Sequence, residues 1–274
     1  MPFTVSHAAA AAPLWRLSRQ RLVLSALIVG AVAPDLEYLV HLSTRRTIGH
    51  TLPGLFVLCL PLGLVGLFAW HRLVAPAWAP MLTGSRPPRF AFGPLARLGV
   101  LALSVLAGSL SHLAWDAFTH ESGLVVSHVA LLQSTLPGTG VHVYSLLQHA
   151  SSGAGAVFLA LWAHRGVGSA RPAAPAELLV PSVAVGCASA GGAIANGFAS
   201  WVTGGALHQV LAAAAVGAMT AGTLAVLVAS AALLWWRSGP PATRSYWNCI
   251  RTLAVDVVPS AEESVYSKAA LPPP

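Results

Sequence analysis

The sequence predicts an all-α, polytopic membrane protein: a helical bundle of about six transmembrane helices with a short N-terminal re-entrant or interfacial helix. Of the 274 residues, 55% are hydrophobic and only 8% are charged, and the mean hydropathy is +0.69. A soluble domain carries about 25% charged residues. The apolar residues also form runs of about 20, which is the length a helix needs to cross the hydrocarbon core. Arginines collect in alternate loops between these runs, as expected for membrane orientation.

Six runs have the length of a span: Leu22–Leu42, Leu52–Val74, Leu95–Phe118, His142–His164, Leu178–Val202 and Leu207–Trp236. The Ala-rich segment Ser6–Leu17 is too short to span and has Thr4 as a candidate N-cap. In the fifth run, "PSVAVGCASAGGAIANGFAS" carries small residues that predict close packing against another helix.

The distribution of basic residues predicts the topology. Arginines precede the first run, separate the second from the third and the fourth from the fifth, and follow the last, whereas 121–141 and 203–206 contain no Lys or Arg. The positive-inside rule therefore predicts cytoplasmic termini. Arg45 and Arg46 would lie outside and break the rule, so either the topology differs nearby or these arginines have a function there.

Composition also limits the classes of partner and the domain organisation. The net charge of +7 is spread over scattered arginines with no basic and aromatic patch, so we expect no nucleic-acid partner. Cys59, Cys187 and Cys249 lie far apart, which indicates neither a disulfide framework nor a CxxC metal site. We predict a membrane domain at 1–170, additional transmembrane helices at 171–238 and a mobile cytoplasmic tail at 239–274.

Polar residues gather where predicted spans meet one side of the membrane. In "GSLSHLAWDAFTHESG", His112 and Asp116 are four residues apart and share a helix face, and His120 continues that face. Asp35 and Glu37 close the first run, while His50 opens the second. Imidazoles and carboxylates are expensive to bury alone, and three or four of them together are typical ligands of a divalent metal ion.

Each of these positions also has a plainer interpretation. His112 and Asp116 could form a simple intrahelical hydrogen bond, Asp35 could pair with Arg45 or Arg46, and Glu37 could be solvated among lipid headgroups. Tyr144 and Gln148, which open the fourth run, could bond across helices. Three further histidines at span ends are interpreted as interfacial anchors: His71, His164 and His208.

Five stretches resemble a family of bacterial multi-pass membrane proteins, domain-of-unknown-function family 4184: "MPFTVSHAA", "GAVAPDLEYL", "GHTLPGLF", "GSLSHLAWDAFTHESG" and "YSLLQHASSGAG". The resemblance covers about residues 1–165. More distantly, the same skeleton is similar to the LexA-regulated membrane-bound metal-dependent hydrolases, which carry an early His and the elements "PDxD", "HRGxTHS" and "SHxxxDxxTxxG".

This resemblance implies a bacterial inner-membrane location and a set of site residues. The positions that match are His7, Asp35, Glu37 (second carboxylate of "PDxD"), Arg46, His50, His112, Asp116 and Thr119. Arg45 replaces the first His of "HRG", and an arginine cannot ligate a metal because it stays protonated. It could bind a phosphate instead. His120 has no counterpart in the distant pattern and could replace the missing ligand.

The resemblance and the residues together lead us to expect a metal-dependent hydrolase of phosphoesters, with lipid-linked substrates among the candidates. The expected metal ligands are His7, Asp35, His50, His112, Asp116 and His120. Zinc is the expected cofactor, with manganese second. Glu37 and Glu121 are candidate general bases, and Arg46 is a third candidate catalytic residue. Arg45, Arg46, Tyr144 and Gln148 are candidate substrate-binding residues. Membrane lipids are the expected partners.

Two other classes of function remain open. One is a non-catalytic membrane scaffold or envelope protein, in which the polar cluster, with or without a structural metal, joins the helix ends. The other is a transporter, which we favour less because the cytoplasmic halves of the predicted spans are apolar.

Overall fold

A computed structural model describes residues 4–42, 46–84, 87, 90, 93, 95–167 and 175–238. The described residues form helices joined by short turns and contain no β-strand. The predicted all-α class is therefore confirmed. Arg45 and the predicted tail at 239–274 lie outside the described residues.

The N-terminal half contains short 3₁₀ and π segments between α-helices. In order it comprises a 3₁₀ helix Thr4–Ala10, α1 (Ala11–Leu17), α2 (Leu24–Val32), a 3₁₀ turn Ala33–Asp35, α3 (Leu36–His41), a 3₁₀ turn Ile48–His50, α4 (Leu52–Gly54), a π segment Leu55–Cys59, α5 (Leu60–Ala69), a π segment Trp70–Val74 and α6 (Ala75–Thr83). The C-terminal half comprises α7 (Leu95–Thr119), α8 (Leu124–His128), α9 (Ala130–Gln133), α10 (Val143–Val167), α11 (Pro175–Val202) and α12 (Leu207–Ser238).

Five helical stretches of the described residues are long and apolar enough to cross a membrane. They are Leu24–His41, Leu52–Thr83, Arg97–His128, Leu178–Val202 and Gln209–Ser238. The sequence predicted about six. The remaining predicted span, His142–His164, lies in α10, which has 25 residues but carries Ser, Gln and His side chains through its N-terminal half. α10 is therefore long enough to cross a membrane but is not among the five apolar stretches.

α2 and α7 run parallel and approach each other through glycines. The backbone N–H of Val23 donates to Ser104 Oγ at 2.9 Å, and eight residues on, His112 Nδ1 lies 2.8 Å from the carbonyl oxygen of Ala31. A side chain on Gly108 would meet the backbone of α2, and one on Gly30 would meet the backbone of α7. This contact therefore fixes the position of α7 along the axis of α2. A buried apolar cluster fills the space between α2, α5 and α7: Ala26, Leu67, Leu101 and Val105.

The N-terminal segment returns along α2. After α1 the chain turns through Arg19 and Gln20, which both adopt positive φ (52° and 63°), and α2 begins at Leu24. The 3₁₀ helix Thr4–Ala10 packs against α2, α7 and α10. Ser6 Oγ donates to the carbonyl oxygen of Ser152 in α10 at 2.9 Å. The segment is helical but too short to span, as predicted, and its first turns lie beside the C-terminal half of α7.

α11 and α12 form a tightly packed antiparallel pair, as the small residues predicted. A side chain on Gly192 would meet the carbonyl oxygen of Gly217, and one on Gly217 would meet that of Gly192. Asn196 Nδ2 donates to Ala213 O at 2.7 Å and to Leu42 O, at the end of α3, at 3.2 Å. Most large apolar side chains of this pair are exposed, as expected for helices that face lipid.

Candidate metal centre

Five polar side chains from four separate segments converge at the end of the α2–α7 pair. The N-terminal 3₁₀ helix supplies His7, the turn after α2 supplies Asp35, the turn before α4 supplies His50, and α7 supplies His112 and Asp116. Their side chains are between 1% and 7% exposed. The helical spacing that predicted a shared face for His112 and Asp116 is confirmed, and the fold adds the other three side chains to that face.

The ring nitrogens of His50 and His112 each lie close to one oxygen of both Asp35 and Asp116. His50 Nε2 lies 3.3 Å from Asp35 Oδ1 and 3.8 Å from Asp116 Oδ2. His112 Nε2 lies 3.5 Å and 3.4 Å from the same two oxygens. Ligands at the zinc distance of about 2.0–2.1 Å stand about 3.3–3.4 Å apart in a tetrahedron. These four nitrogen–oxygen distances lie within a few tenths of an ångström of that spacing, and Asp35, His50 and His112 offer three ligand atoms within 4.8 Å of one another.

His112 is held in the tautomer that a metal ligand needs. Its Nδ1 donates to the carbonyl oxygen of Ala31 at 2.8 Å, which leaves the lone pair on Nε2, the atom that faces Asp35 and Asp116. A hydrogen bond from the second ring nitrogen commonly orients metal-binding histidines. The Gly108 contact between α7 and α2 is what brings the imidazole within reach of this carbonyl.

His50 is oriented in the same way by Glu37. His50 Nδ1 lies 2.7 Å from Glu37 Oε1, so Nε2 points toward the two aspartates. The carboxylate of Glu37 also accepts from the backbone N–H of Thr47 (3.0 Å), from its hydroxyl (2.6 Å) and from the N–H of Gly49 (3.0 Å). Glu37 is only 1% exposed, which excludes the interpretation of a solvated side chain. Its four hydrogen bonds use the whole carboxylate and place Glu37 where it orients His50, and its role as a general base stays a prediction.

His7 and His120 approach the other carboxylate oxygen of Asp116. His7 Nε2 lies 3.6 Å and His120 Nδ1 lies 3.3 Å from Asp116 Oδ1. The rings of His7 and His112 are stacked, with centroids 3.7 Å apart. Burial, and after it the neighbouring His112, lowers the pKa of His7 to about 4. The imidazole of His7 is therefore neutral at pH 7 and can offer a lone pair.

The described charges of the cluster do not balance. Asp35, Glu37 and Asp116 contribute three carboxylates and Arg46 contributes one guanidinium, so these four groups together carry a net charge of −2 when the histidines are neutral. Arg46 pairs with Asp116 Oδ2 at 2.5 Å, not with Asp35 as the plainer interpretation proposed. Buried charges need compensation, and a divalent cation among the donors would supply it.

A family model described as "Domain of unknown function (DUF4184)" matches residues 1–233. The chain belongs to this family. No curated protein matches the chain, and no solved structure does. The DUF4184 match continues well beyond residue 165, where the sequence motifs end, and includes α11 and most of α12.

In this DUF4184 protein, Glu121, Tyr144 and Gln148 form none of the ion pairs that the described residues of the cluster make, whereas Arg46 pairs with Asp116. Glu121 is exposed and takes part in none of the cluster's ion pairs that the described residues form. The rings of Tyr144 and His142 are stacked, with centroids 5.2 Å apart. Gln148 is buried in α10, where its backbone carbonyl oxygen accepts hydrogen bonds from the hydroxyls of Ser151 and Ser152. Arg46 lies at the rim, with its side chain 26% exposed.

Sequence reasoning missed the groups that orient the ligands. Thr47 and Gly49 bond Glu37, and Cys59 Sγ donates to the carbonyl oxygen of Gly49 at 3.3 Å, which ties the His50 turn to the second span. The "GHT" motif was the only local sign of this turn. The carbonyl of Ala31 has no side-chain signature, so no sequence pattern could have identified it.

Proposed function

We propose that this DUF4184 protein is a membrane-embedded, metal-dependent hydrolase of phosphoesters. The observation that carries the proposal is the donor set His50 Nε2, His112 Nε2, Asp35 Oδ1 and Asp116 Oδ2, whose distances of 3.3–3.8 Å suit a small divalent ion. Two oriented imidazoles and two carboxylates are the ligand types of zinc, and manganese also accepts them. The distant resemblance to membrane-bound hydrolases supports the same chemistry.

The residues around the donors divide the work of phosphoester hydrolysis. A divalent ion in this position would polarise a phosphoryl oxygen and activate a water molecule. Arg46 is the candidate phosphate-binding group, since its guanidinium lies at the rim and can exchange its bond to Asp116 for one to a phosphate. Glu37 and the Ala31 carbonyl keep the lone pairs of His50 and His112 directed into the site.

The surroundings favour an amphiphilic substrate. Residues 122–164, which follow the cluster, carry no charged side chain. Within them Leu124 and Leu131 are 72% and 70% exposed, on the short helices α8 and α9. An uncharged, apolar surface beside a polar site near the end of the spans suits a phosphate group carried on a lipid.

The first test is metal content and hydrolysis on protein purified in detergent. We expect about one equivalent or more of zinc or manganese per chain, lost in Asp35→Asn, and cleavage of a chromogenic phosphoester that requires the metal. His149→Ala is the matched control, because this histidine is exposed on α10 and bonds only Ser145 O of its own helix. A parent protein that takes up neither metal after reconstitution at neutral pH would refute the proposal. Metal uptake with no cleavage of any phosphoester would refute the enzyme and leave a structural metal in a scaffold.

A further inference from the structure

We propose that the end of the bundle opposite the candidate metal centre binds the phosphate headgroup of an anionic phospholipid. Three segments meet at this end: the last turn of α1, the turn between α1 and α2, and the first turn of α7. They carry four exposed arginines: Arg16, Arg19, Arg21 and Arg97. This group is called the arginine patch below.

The turn that carries two of the arginines is ordered and strained. The backbone N–H of Gln20 donates to Trp15 O at 2.9 Å, and that of Arg21 donates to Ser18 O at 3.1 Å. Arg19 and Gln20 adopt φ of 52° and 63°. Left-handed backbone is unfavourable for residues other than glycine, and strained positions of this kind are concentrated in ligand-binding sites. The turn therefore presents its arginines from a fixed backbone.

Stacked rings bring Arg97 to the same end. Its guanidinium lies 5.2 Å from the centroid of the Phe90 ring, and that ring stacks on His71 with centroids 3.8 Å apart. His71 Nε2 lies 3.0 Å from Ser25 Oγ in the first turn of α2. Because Ser25 follows Arg21 by four residues, the start of α7 and the turn before α2 lie at one end of the bundle.

The segments that form the arginine patch contain no carboxylate. Residues 1–34 and 38–115 include no Asp and no Glu. The ion pairs that the described residues form use only Asp35, Glu37 and Asp116. These carboxylates belong to the other end of α2, and the helical rise from Leu24 to Asp35 is about 16 Å. The patch therefore has an excess of positive charge that an anion from outside these segments can balance.

The position of the patch favours a lipid over a soluble anion. Arg21 precedes the first candidate span, Leu24–His41, by three residues, and Arg97 opens the third. Leu17 and Leu95, beside the arginines, are 79% and 85% exposed. A guanidinium binds phosphate oxygens through paired N–H groups. An exposed leucine next to it suits an acyl chain, which a soluble phosphate lacks.

The experiment measures energy transfer from the tryptophans of the protein to dansyl-labelled phosphatidylglycerol in detergent micelles, with unlabelled lipids as competitors. The parent should prefer phosphatidylglycerol to zwitterionic phosphatidylcholine by about tenfold or more, since one arginine near an anionic surface contributes about fivefold. The triple variant Arg16→Gln, Arg19→Gln, Arg21→Gln should lose most of this preference. The matched variant with lysine at the same three positions should retain part of it, because lysine keeps the charge but not the paired N–H groups.

Two results would overturn the proposal: equal binding of the two lipids by the parent, or an unchanged preference in the glutamine variant. Displacement of the labelled lipid by glycerol phosphate, which has no acyl chain, would overturn the assignment to a lipid. If the glutamine variant does not fold, the parent still decides. Its preference should fall as salt rises from about 50 mM to about 500 mM, because salt screens exposed charges. The experiment needs no metal, so its result is independent of the proposed function.

Discussion

Replacing Glu37 with glutamine should weaken metal binding, although Glu37 contacts His50 through Nδ1 and not through Nε2, the proposed donor atom. Each oxygen of Glu37 accepts two hydrogen bonds, and glutamine keeps only one of the oxygens. If the amide nitrogen replaces Oε1, its N–H group faces His50 Nδ1 at 2.7 Å, and Nδ1 must then accept the hydrogen bond. His50 would carry its own proton on Nε2 and lose the lone pair directed at the metal. If the nitrogen replaces Oε2, the N–H of Gly49 loses its buried acceptor and the His50 turn is destabilised.

The size of the effect follows from the role of the bond. Loss of a group that orients a metal-binding histidine typically costs 10–100-fold in metal affinity, or about 1.4–2.7 kcal/mol. We would measure zinc affinity by competition with a chromophoric chelator, on parent, Glu37→Gln and Glu121→Gln. The last is the matched control, since Glu121 is exposed and lies outside the cluster's ion pairs, and it should stay within about twofold of the parent. A folded Glu37→Gln protein that binds zinc as tightly as the parent would show that Glu37 does not position His50.

Two glycine substitutions test the packing that surrounds the centre. In Gly108→Ala the new methyl would meet the backbone of Leu27, so thermal unfolding in detergent should show a loss of about 1–3 kcal/mol, while Gly99→Ala, with nothing within 4 Å, should be neutral. Equal stability of the two variants would contradict the close contact of α2 and α7. Gly192→Ala should also lower the unfolding temperature because it presses on Gly217 O, yet zinc affinity should not change, because α11 and α12 supply none of the donors. A loss of zinc in that variant would mean that the helix pair shapes the site.

The spans could be predicted from sequence because bilayer thickness sets the length of an apolar helix. α10 shows where this reasoning stops. It has the length of a span, yet its N-terminal half carries polar residues and packs against the N-terminal segment, whose Ser6 Oγ donates to the backbone carbonyl oxygen of Ser152. Hydropathy reports how unfavourable contact with water is for a segment, and it does not identify the segment that packs against it.

The site was predictable where helix geometry fixes distance and unpredictable where chain folding does. His112 and Asp116 share a face because they are four residues apart. The position of His7 depends on how the chain turns at Arg19 and Gln20 and returns along α2, and no local pattern gives that path. The role of Glu37 depends on the turn around Thr47, which wraps the carboxylate with donors.

The donor residues of the candidate centre are synthesised at different times. Asp35 lies in the first span and His50 directly before the second, whereas His112 and Asp116 enter with the third. Synthesis at about 5–20 residues per second puts about 3–12 s between His50 and His112. During that interval Asp35 lacks the imidazole of His112, and α2 lacks α7, the helix that runs parallel to it. A metal centre of the proposed kind would therefore be complete only after the third span has been inserted, so metal loading would be a late step that reports on completed assembly.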